Sequence, residues 1–193
     1  MRIRAKVSIQ GTKPLLFHTF PIDTLSEGKS KSGRAGNSEE EWKSTVLMDE
    51  HRHLYILGTY PLRSIISGGK EIKVGKGSLM KKVQATLEVE ETKIFLNGLT
   101  VPDEDQLLKL DTEAVYLDVR SVVNPATKGR NLRYRIAAKA GWTCNFHITW
   151  DDSFVSRENI KTCLENSGVL SGLGDGRTIG FGKYKIIAFE MTK

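Results

Sequence analysis

Alternating apolar and polar residues predict several β-strands in this chain. Residues 3–10, IRAKVSIQ, place four apolar side chains on one side and charged or polar side chains on the other. This is the pattern of a half-buried strand. In residues 141–150, GWTCNFHITW, the large apolar side chains again share one face, which we expect to lie in the core. Similar runs predict strands at 44–48, 53–57, 85–96, 114–123, 132–138 and 184–191, of which the first two form a hairpin.

Two other segments carry apolar residues at helical spacing. The first helix is predicted to start near Tyr60, with Thr59 as its N-cap, and to end at Gly68–Gly69. The second spans residues 156–167 and opens with Ser156, whose hydroxyl can accept a hydrogen bond from a backbone amide of the first turn. The apolar stripe of each helix is assigned to the core.

The order of these elements predicts the fold class. Without its insertions the chain reads strand, hairpin, helix, several strands, helix, glycine-rich loop and strand. This order is typical of an α+β protein with a ferredoxin-like or RRM-like βαββαβ core and an antiparallel sheet. We therefore predict one domain over residues 1–193, with insertions at about 18–58 and 68–139 that supply an inserted hairpin and a basic arm.

The composition is typical of a globular protein. Of 193 residues, 39% are hydrophobic and 27% are charged, and no run reaches the roughly 20 apolar residues of a membrane helix. The first residues contain no apolar signal core, so we expect a cytoplasmic protein without membrane contact. Cys144 and Cys163 are too few for a disulfide scaffold or a zinc site and are assigned to the core.

Positive charge is concentrated in two stretches of the sequence. The net charge is +6; residues 119–150 hold six Lys and Arg residues and no acid, and residues 61–82 hold six against the single acid Glu71. Such segregation favours one basic face that binds a polyanion over a uniformly basic surface. Solvated loops are the alternative.

Residues 172–184, GLGDGRTIGFGKY, contain five glycines just before the last predicted strand. Glycines let backbone amides come close to an anion, because no Cβ intervenes. The known mononucleotide and dinucleotide motifs do not fit, since this loop follows a helix and opens a strand. We therefore expect no cofactor and no metal. Two interpretations stay open: approach to the backbone of a nucleic acid, or a glycine turn that packs closely on the first helix.

The helix, the G-L-G-D-G-R run, the later G-x-G and the terminal strand together resemble the signature of the RAMP superfamily, the repeat-associated RNA-binding proteins of CRISPR effector complexes. Residues 55–66, YILGTYPLRSII, are similar to the segment where a strand of that superfamily passes through a small-residue turn into the first helix. Residues 118–130, DVRSVVNPATKGR, resemble basic segments of its backbone-subunit branch. The chain also resembles small stand-alone members from phage and bacterial genomes.

The resemblance implies that the glycine loop, the first helix and a basic insertion grip single-stranded RNA. Loop glycines would bring backbone amides to phosphates, while arginines and lysines would add charge. Tyr134 would stack on a base or lie in the core. The implied RNA-binding residues are Arg63, Lys128, Arg130, Arg133, Arg135, Gly174, Gly176, Arg177 and Gly180.

Catalysis has two weak candidates. Some members of the superfamily are metal-independent ribonucleases with a histidine acid or base, and His18 lies after the first predicted strand where such a histidine is expected. Other members cut the bound target through an acid in the loop after that strand, a position that Asp23 could fill. A lone loop residue is the alternative for each, and Asp175 is assigned to turn formation.

Three functional hypotheses follow. The first is a non-catalytic subunit that binds single-stranded RNA, such as a guide RNA, or single-stranded DNA. It would assemble head-to-tail with copies of itself and with other effector-complex subunits, and residues 26–38 and 68–82 would reach either a neighbouring subunit or the RNA strand. The second is an endoribonuclease of the same superfamily. The third is a structural or phage-derived protein whose glycine loop only packs.

Overall fold

The computed structural model describes residues 1–19, 39–107, 112–123, 126 and 128–192. The helices are α1 (Glu41–Thr45), α2 (Thr59–Gly68), α3 (Met80–Thr86) and α4 (Arg157–Asn166). The strands are β1 (Arg2–Gly11), β2 (Leu15–Leu16), β3 (His53–Leu57), β4 (Lys73–Val74), β5 (Gly77–Ser78), β6 (Glu88–Val89), β7 (Lys93–Thr100), β8 (Val115–Val123), β9 (Arg130–Ala138), β10 (Thr143–Asp151) and β11 (Tyr184–Thr192).

The main sheet has the strand order β11-β1-β10-β7-β3, with β6 as an extra partner of β10. Four of its six strands are β1, β7, β10 and β11. Together with α2 and α4, which lie between them along the chain, they give the order βαββαβ. All described pairings in this sheet are antiparallel. The predicted α+β class with a ferredoxin-like core is therefore confirmed, whereas the domain limits and the insertion boundaries stay a prediction.

The core lies on one face of the main sheet. Strand β10 and the residue before it contribute five buried side chains, as their alternation predicts: Trp142, Cys144, Phe146, Ile148 and Trp150. Helices α2 and α4 cross closely at Gly68, where an added Cβ would lie 2.1 Å from the carbonyl oxygen of Cys163. The glycine thus brings the two helices into direct backbone contact.

A second sheet holds β2, β9 and β8 in that order. Strands β8 and β9 form a long hairpin whose base is buried, with Leu117 and Ile136 in the core. Toward its tip the side chains become exposed, and Val123 and Leu132 are 53% and 43% accessible. The outer half of this hairpin therefore extends beyond the apolar core.

The predicted hairpin of residues 44–48 and 53–57 is half wrong. Residues 53–57 form β3 and Ser44 and Thr45 belong to helix α1. The turn itself is present, because Met48 bridges Leu54, the amide of Tyr55 donates to Leu47 and the amide of Asp49 donates to His53. Helix α1 forms because Trp42 is buried and the hydroxyl of Thr45 donates to the carbonyl of Glu41. Tertiary burial of Trp42 and Thr45 therefore outweighs the β-propensity of this run.

The single strand predicted at 85–96 is also wrong. Its first residues end helix α3, the pair 88–89 forms β6, and β7 begins at Lys93. Val83 and Leu87 are both buried whereas Ala85 between them is exposed, which is a helical and not a strand pattern. Between β6 and β7 the carboxylate of Glu91 accepts a hydrogen bond from the backbone amide of His147 at 2.8 Å.

Both predicted helices are present, with one correction at a cap. Ser156 caps α4 as expected, and its Oγ accepts from the amide of Asn159 at 3.3 Å. Thr59 is not a cap but the first residue of α2, and Gly58 takes the cap position without a side-chain hydrogen bond. A Cβ at Gly58 would lie 1.9 Å from the carbonyl oxygen of Glu91, so close packing selects glycine there.

Candidate nucleic-acid interface

The glycine-rich segment forms a compact loop that closes on itself. After a wide π-type turn at Ser167–Ser171, the chain enters the left-handed region at Gly172 with φ 78°. The amide of Leu173 donates to the carbonyl of Gly182 at 2.9 Å, which ties the two ends of the loop together. Positive φ recurs at Gly174, Gly176, Gly180 and Gly182.

The loop packs mainly on the segment that contains β2, and not on helix α2, the first helix predicted from the sequence. The amide of Asp175 donates to the carbonyl of Leu16 at 3.0 Å, and that of Gly182 donates to the carbonyl of Pro14 at 2.7 Å. A Cβ at Gly174 would lie 2.5 Å from the carbonyl oxygen of Leu16. Helix α2 reaches the loop through Ser64, whose Oγ donates to the carbonyl of Gly172 at 3.0 Å. Close packing therefore explains most of these glycines.

Gly180 is the exception among them. Its φ is 95°, yet no atom lies within 4 Å of the position that a Cβ would occupy. It ends the short 3-10 turn Arg177–Ile179, which stands at the exposed rim of the loop. Packing therefore does not select glycine here; the positive φ does, and the amide of Gly180 donates to the carbonyl of Arg177 at 3.2 Å.

A pocket of about 160 Å³ lies between the glycine loop and the start of α2. It collects residues that are far apart in the sequence, and several of them are predicted site residues. Arg63 and Arg177 are exposed, and neither has an ion-pair partner among the described residues. The lining consists of His18, Tyr60, Arg63, Gly172, Leu173, Gly174, Asp175 and Arg177.

Tyr60 is not among the residues predicted from the sequence, and nothing in its local pattern distinguishes it from a core tyrosine. It is half-buried, and its hydroxyl lies 3.1 Å from Oγ1 of Thr19. His18 also lines the pocket, with Nε2 buried and 3.5 Å from Oε1 of Glu41. One aromatic ring, one imidazole and two guanidinium groups therefore line this pocket. Asp23 lies outside the described residues.

Most arginines of the predicted basic strand form ion pairs with carboxylates of the same chain. Arg135 is 5% exposed, and its guanidinium donates to Oδ2 of Asp175 at 2.7 Å and lies 3.7 Å from Oδ1 of Asp118. Arg133 contacts the carboxylate of Glu41. Arg120, which lies opposite Arg133 in the ladder, pairs with Asp118 at 2.7 Å. These contacts give Arg133 and Arg135 a role in holding helix α1 and the glycine loop.

The pKa of Asp175 reflects this arrangement. Burial raises the pKa of the carboxyl, but the hydrogen bonds from Arg135 and from the amide of Gly176 outweigh burial, so the pKa lies below its ordinary value. The carboxylate thus stays charged at neutral pH and ties strand β9 to the glycine loop. It also places one negative charge on the wall of the pocket that Arg63 and Arg177 line.

The tip of the β8–β9 hairpin carries the remaining predicted contacts. Lys128 and Arg130 are exposed, and Lys128 adopts a left-handed φ of 58°. Tyr134 is 7% exposed and belongs to the core, so its ring is not available to stack on a base. The tip is therefore positively charged, while the base of the hairpin is structural.

The described residues contain no group of three or more His, Cys, Asp or Glu residues that could hold a metal ion. Among the described helices, none has the length and apolar character that crossing a membrane requires. Burial raises the pKa of Cys144 to about 12 and that of Cys163 to about 11, so neither thiol is activated as a nucleophile.

Comparison with known proteins gives a likeness of fold. No protein-family profile matches the chain, and no curated protein sequence matches it. Among solved structures, the chain is similar to one chain of the type III-B Cmr-beta complex, whose structure was determined by cryo-electron microscopy with cognate target RNA bound. The TM-score is 0.55 with 14% sequence identity, and the match covers 100% of this chain and 61% of that one. The chain thus shares its α+β fold with a chain of that complex and spans about three fifths of its length.

Proposed function

We propose that this protein binds single-stranded RNA along its sugar–phosphate backbone, in the pocket between the glycine loop and helix α2. The observation that carries the proposal is the meeting of Arg63 and Arg177 in one pocket. Both guanidinium groups are exposed and lack an ion-pair partner among the described residues. An arginine fork matches phosphate geometry, so two such groups favour a phosphodiester ligand.

A polymer fits this pocket better than a free nucleotide. The pocket is small, at about 160 Å³, and the 3-10 turn of the loop beside it is exposed. The ring of Tyr60 offers a face for one base, while the arginines take the flanking phosphates. Lys128 and Arg130, at the exposed hairpin tip, add positive charge for a longer strand. RNA is favoured over DNA because the fold is shared with a chain from an RNA-bound complex.

The finer part of the proposal concerns family and assembly. We assign the chain to the RAMP superfamily as a guide-RNA-binding subunit of a CRISPR-type effector complex, in contact with copies of itself head-to-tail and with other subunits. The support is the glycine signature at 172–182, the strand-to-helix segment at 55–66 and the shared fold with a type III-B Cmr chain. The residues 26–38 assigned to this assembly lie outside the described residues.

Removing both free arginines tests the RNA site. Arg63→Gln with Arg177→Gln is expected to weaken binding of single-stranded RNA about tenfold, or about 1.4 kcal/mol. The slope of log K against log salt should fall by about 0.7 for each phosphate group that the variant no longer binds. Fluorescence anisotropy with a labelled RNA, and the same sequence as DNA, measures both quantities.

The matched control for this test is Arg157→Gln. Arg157 is exposed, and it lines a different pocket with Met1, Arg2 and Thr192, at the end of β1 opposite the glycine loop. Combined with Lys161→Gln, at another exposed position of the same helix, its replacement removes two positive charges as in the tested variant but should leave affinity and salt slope almost unchanged. Equal losses in both variants would mean that net charge alone attracts RNA. Unchanged binding in the double variant would remove the pocket from the interface.

An endoribonuclease is the second candidate function, and the position of His18 favours it. His18 shares the pocket with Tyr60 and two arginines, so a phosphodiester bound there would lie near an imidazole that can move a proton. If the protein cuts RNA, His18→Ala should abolish cleavage and retain binding. For a pure binder, gel analysis should return full-length RNA from both wild type and variant, which is the result that we expect.

A structural protein without a nucleic-acid ligand is the third hypothesis. The close seating of the glycine loop on Pro14 and Leu16 is what this hypothesis requires. This hypothesis does not explain Arg63 and Arg177, because neither forms an ion pair with a described acid. A protein that binds neither RNA nor DNA single strands at low salt would favour this third hypothesis.

A further inference from the structure

A cluster of five lysines lies at the far end of helix α2 from the pocket. Three short elements carry it: the 3-10 turn Gly69–Glu71, the β4–β5 hairpin and helix α3. All five side chains are exposed. The lysine patch consists of Lys70, Lys73, Lys76, Lys81 and Lys82.

The positive charge of the lysine patch is not neutralised locally. None of the five ammonium groups forms an ion pair within the described part of the chain. From residue 59 to residue 87 the sequence contains one acid, Glu71. By contrast, Arg120, Arg133 and Arg135 of the second sheet each contact a carboxylate. A concentrated and unpaired positive charge attracts an anionic polymer.

The patch is held by packed residues and not by a free loop. Leu79 and Val83 are buried beneath it, and the amide of Leu79 donates to the carbonyl of Ile72 at 2.9 Å. A Cβ at Gly69 would lie 3.3 Å from the backbone of Met80, which shows how closely the turn meets α3. The lysine stems therefore start from fixed positions, and only their flexible ends need ordering when a ligand binds.

A polar stripe on helix α2 connects the pocket to the patch. Thr59, Arg63 and Ser67 follow one another at four-residue spacing, all three are exposed, and Lys70 continues the line just beyond the helix. Arg63 and Lys70 are about two helical turns apart, a rise of about 10 Å. The stripe holds no acid. Its cationic ends thus belong to one continuous surface.

We propose that the RNA strand leaves the pocket at Arg63, follows this stripe and crosses the lysine patch, so that the protein binds a strand longer than the pocket alone accepts. The proposal rests on the proposed RNA-binding function of the pocket. The patch contributes phosphate contacts without base recognition, because ammonium groups act as point charges. Its contribution should therefore depend on RNA length and on salt, and not on sequence.

The test compares two RNA lengths and two protein variants. Single strands of about 4 and about 16 nucleotides span the range of known single-strand site sizes. The patch variant carries Lys73→Gln, Lys76→Gln, Lys81→Gln and Lys82→Gln. The control carries Lys93→Gln, Lys139→Gln, Lys161→Gln and Lys185→Gln, four exposed lysines elsewhere with the same change of net charge. Each exposed change of this kind alters stability by no more than about 0.5 kcal/mol.

Wild-type protein should bind the long strand more tightly and with a steeper salt slope than the short one. The patch variant should bind the long strand at least about tenfold more weakly, with a slope lower by about 0.7 for each phosphate that it no longer binds, and should bind the short strand like wild type. The control variant should retain the length dependence.

Each other result has a distinct meaning. Failure of wild type to bind even the short strand would overturn the proposed function of the pocket. Binding of the short strand without any gain for the long one would overturn the extended path alone. A patch variant that changes the oligomeric state on a sizing column, with its RNA slope unchanged, would assign the patch to an acidic protein surface and would also overturn the path.

Discussion

Replacing Arg135 with methionine is expected to lower the free energy of unfolding by about 1.5–3 kcal/mol, because it removes the charge-assisted hydrogen bond that ties the carboxylate of Asp175 to strand β9. The guanidinium is 5% exposed and connects Asp175 of the glycine loop to Asp118 of β8. Methionine fills a similar volume, so the loss of stability reports the ion pairs and not a cavity. Urea unfolding followed by circular dichroism at pH 6 measures it.

The pH dependence gives this prediction a second readout. The folded-state pKa of Asp175 is lowered, so its contribution to stability is complete above its unfolded pKa of about 3.9 and is lost as pH falls through the folded pKa. In Arg135→Met the carboxyl of Asp175 stays partly buried but loses the hydrogen bond from Arg135. Protonation of this carboxyl at low pH then removes the cost of burying an unpaired charge. The stability difference between wild type and variant should therefore shrink between pH 6 and about pH 3.

Arg120→Met is the matched control. Arg120 pairs with the same Asp118, but its side chain is 47% exposed, and it also lies 4.7 Å from the ring centre of Phe181. Asp118 is buried, but the guanidinium of Arg120 is half-exposed and screened by solvent, so its ion pair and its cation–π contact each contribute up to about 1 kcal/mol. Asp175→Asn added to Arg135→Met should restore part of the lost stability. Equal losses in the two methionine variants, or no change with pH, would refute the structural role of Arg135.

Gly182→Ala is expected to destabilise the protein by about 2–5 kcal/mol. The φ of 68° costs an alanine about 1–2 kcal/mol. The new Cβ would also lie 1.8 Å from the carbonyl oxygen of Leu173, so the loop must open to accept it. Because the loop forms one wall of the pocket, RNA affinity should fall as well, even well below the melting temperature.

Gly98→Ala distinguishes the backbone strain of a positive φ from the steric contact of a new Cβ. Gly98 has the same φ of 68°, but nothing lies within 4 Å of its Cβ position. Its replacement should cost only the conformational contribution, about 1–2 kcal/mol, and should leave RNA binding unchanged. Thermal unfolding of both variants measures the difference. If the two substitutions cost the same, close packing does not hold the glycine loop in place.

The sequence predicts well those elements whose pattern has a single interpretation. Strand β10 alternates over its full length, and helix α4 has both an apolar stripe and a serine cap, so each appears where expected. The strand predicted at 85–96 is correct at 88–89 and from Lys93 onward but wrong at its start, where the apolar residues suit either period and the packing of Leu87 next to α3 decides between them. Such a decision depends on contacts that no local pattern contains.

The candidate site also depends on contacts that the local sequence does not show. The absence of acids from the segment 119–150 suggests that its arginines face a polyanion. Two of their acids, Glu41 and Asp175, lie far away along the chain and reach the segment only in the folded protein, whereas Asp118 directly precedes it. Conversely, Tyr60 joins Arg63 and Arg177 in the pocket although its local sequence gives no sign of it. Whether an arginine is available to a ligand therefore depends on its ion-pair partners in the folded chain, and not on the charge density of the local sequence.

Ultraviolet cross-linking of the protein to a 4-thiouridine-containing single-stranded RNA, followed by mass spectrometry of the peptides, tests the central claim most directly. We expect cross-links on peptides that contain Tyr60 and residues 172–182, and we expect them to disappear in the Arg63→Gln, Arg177→Gln variant. Tyr55 and Phe95 provide the contrast, since they contact each other on strands β3 and β7 with 5.7 Å between ring centres, and Phe95 is exposed. Cross-links confined to these two rings would show that RNA lies on the sheet and would contradict the account.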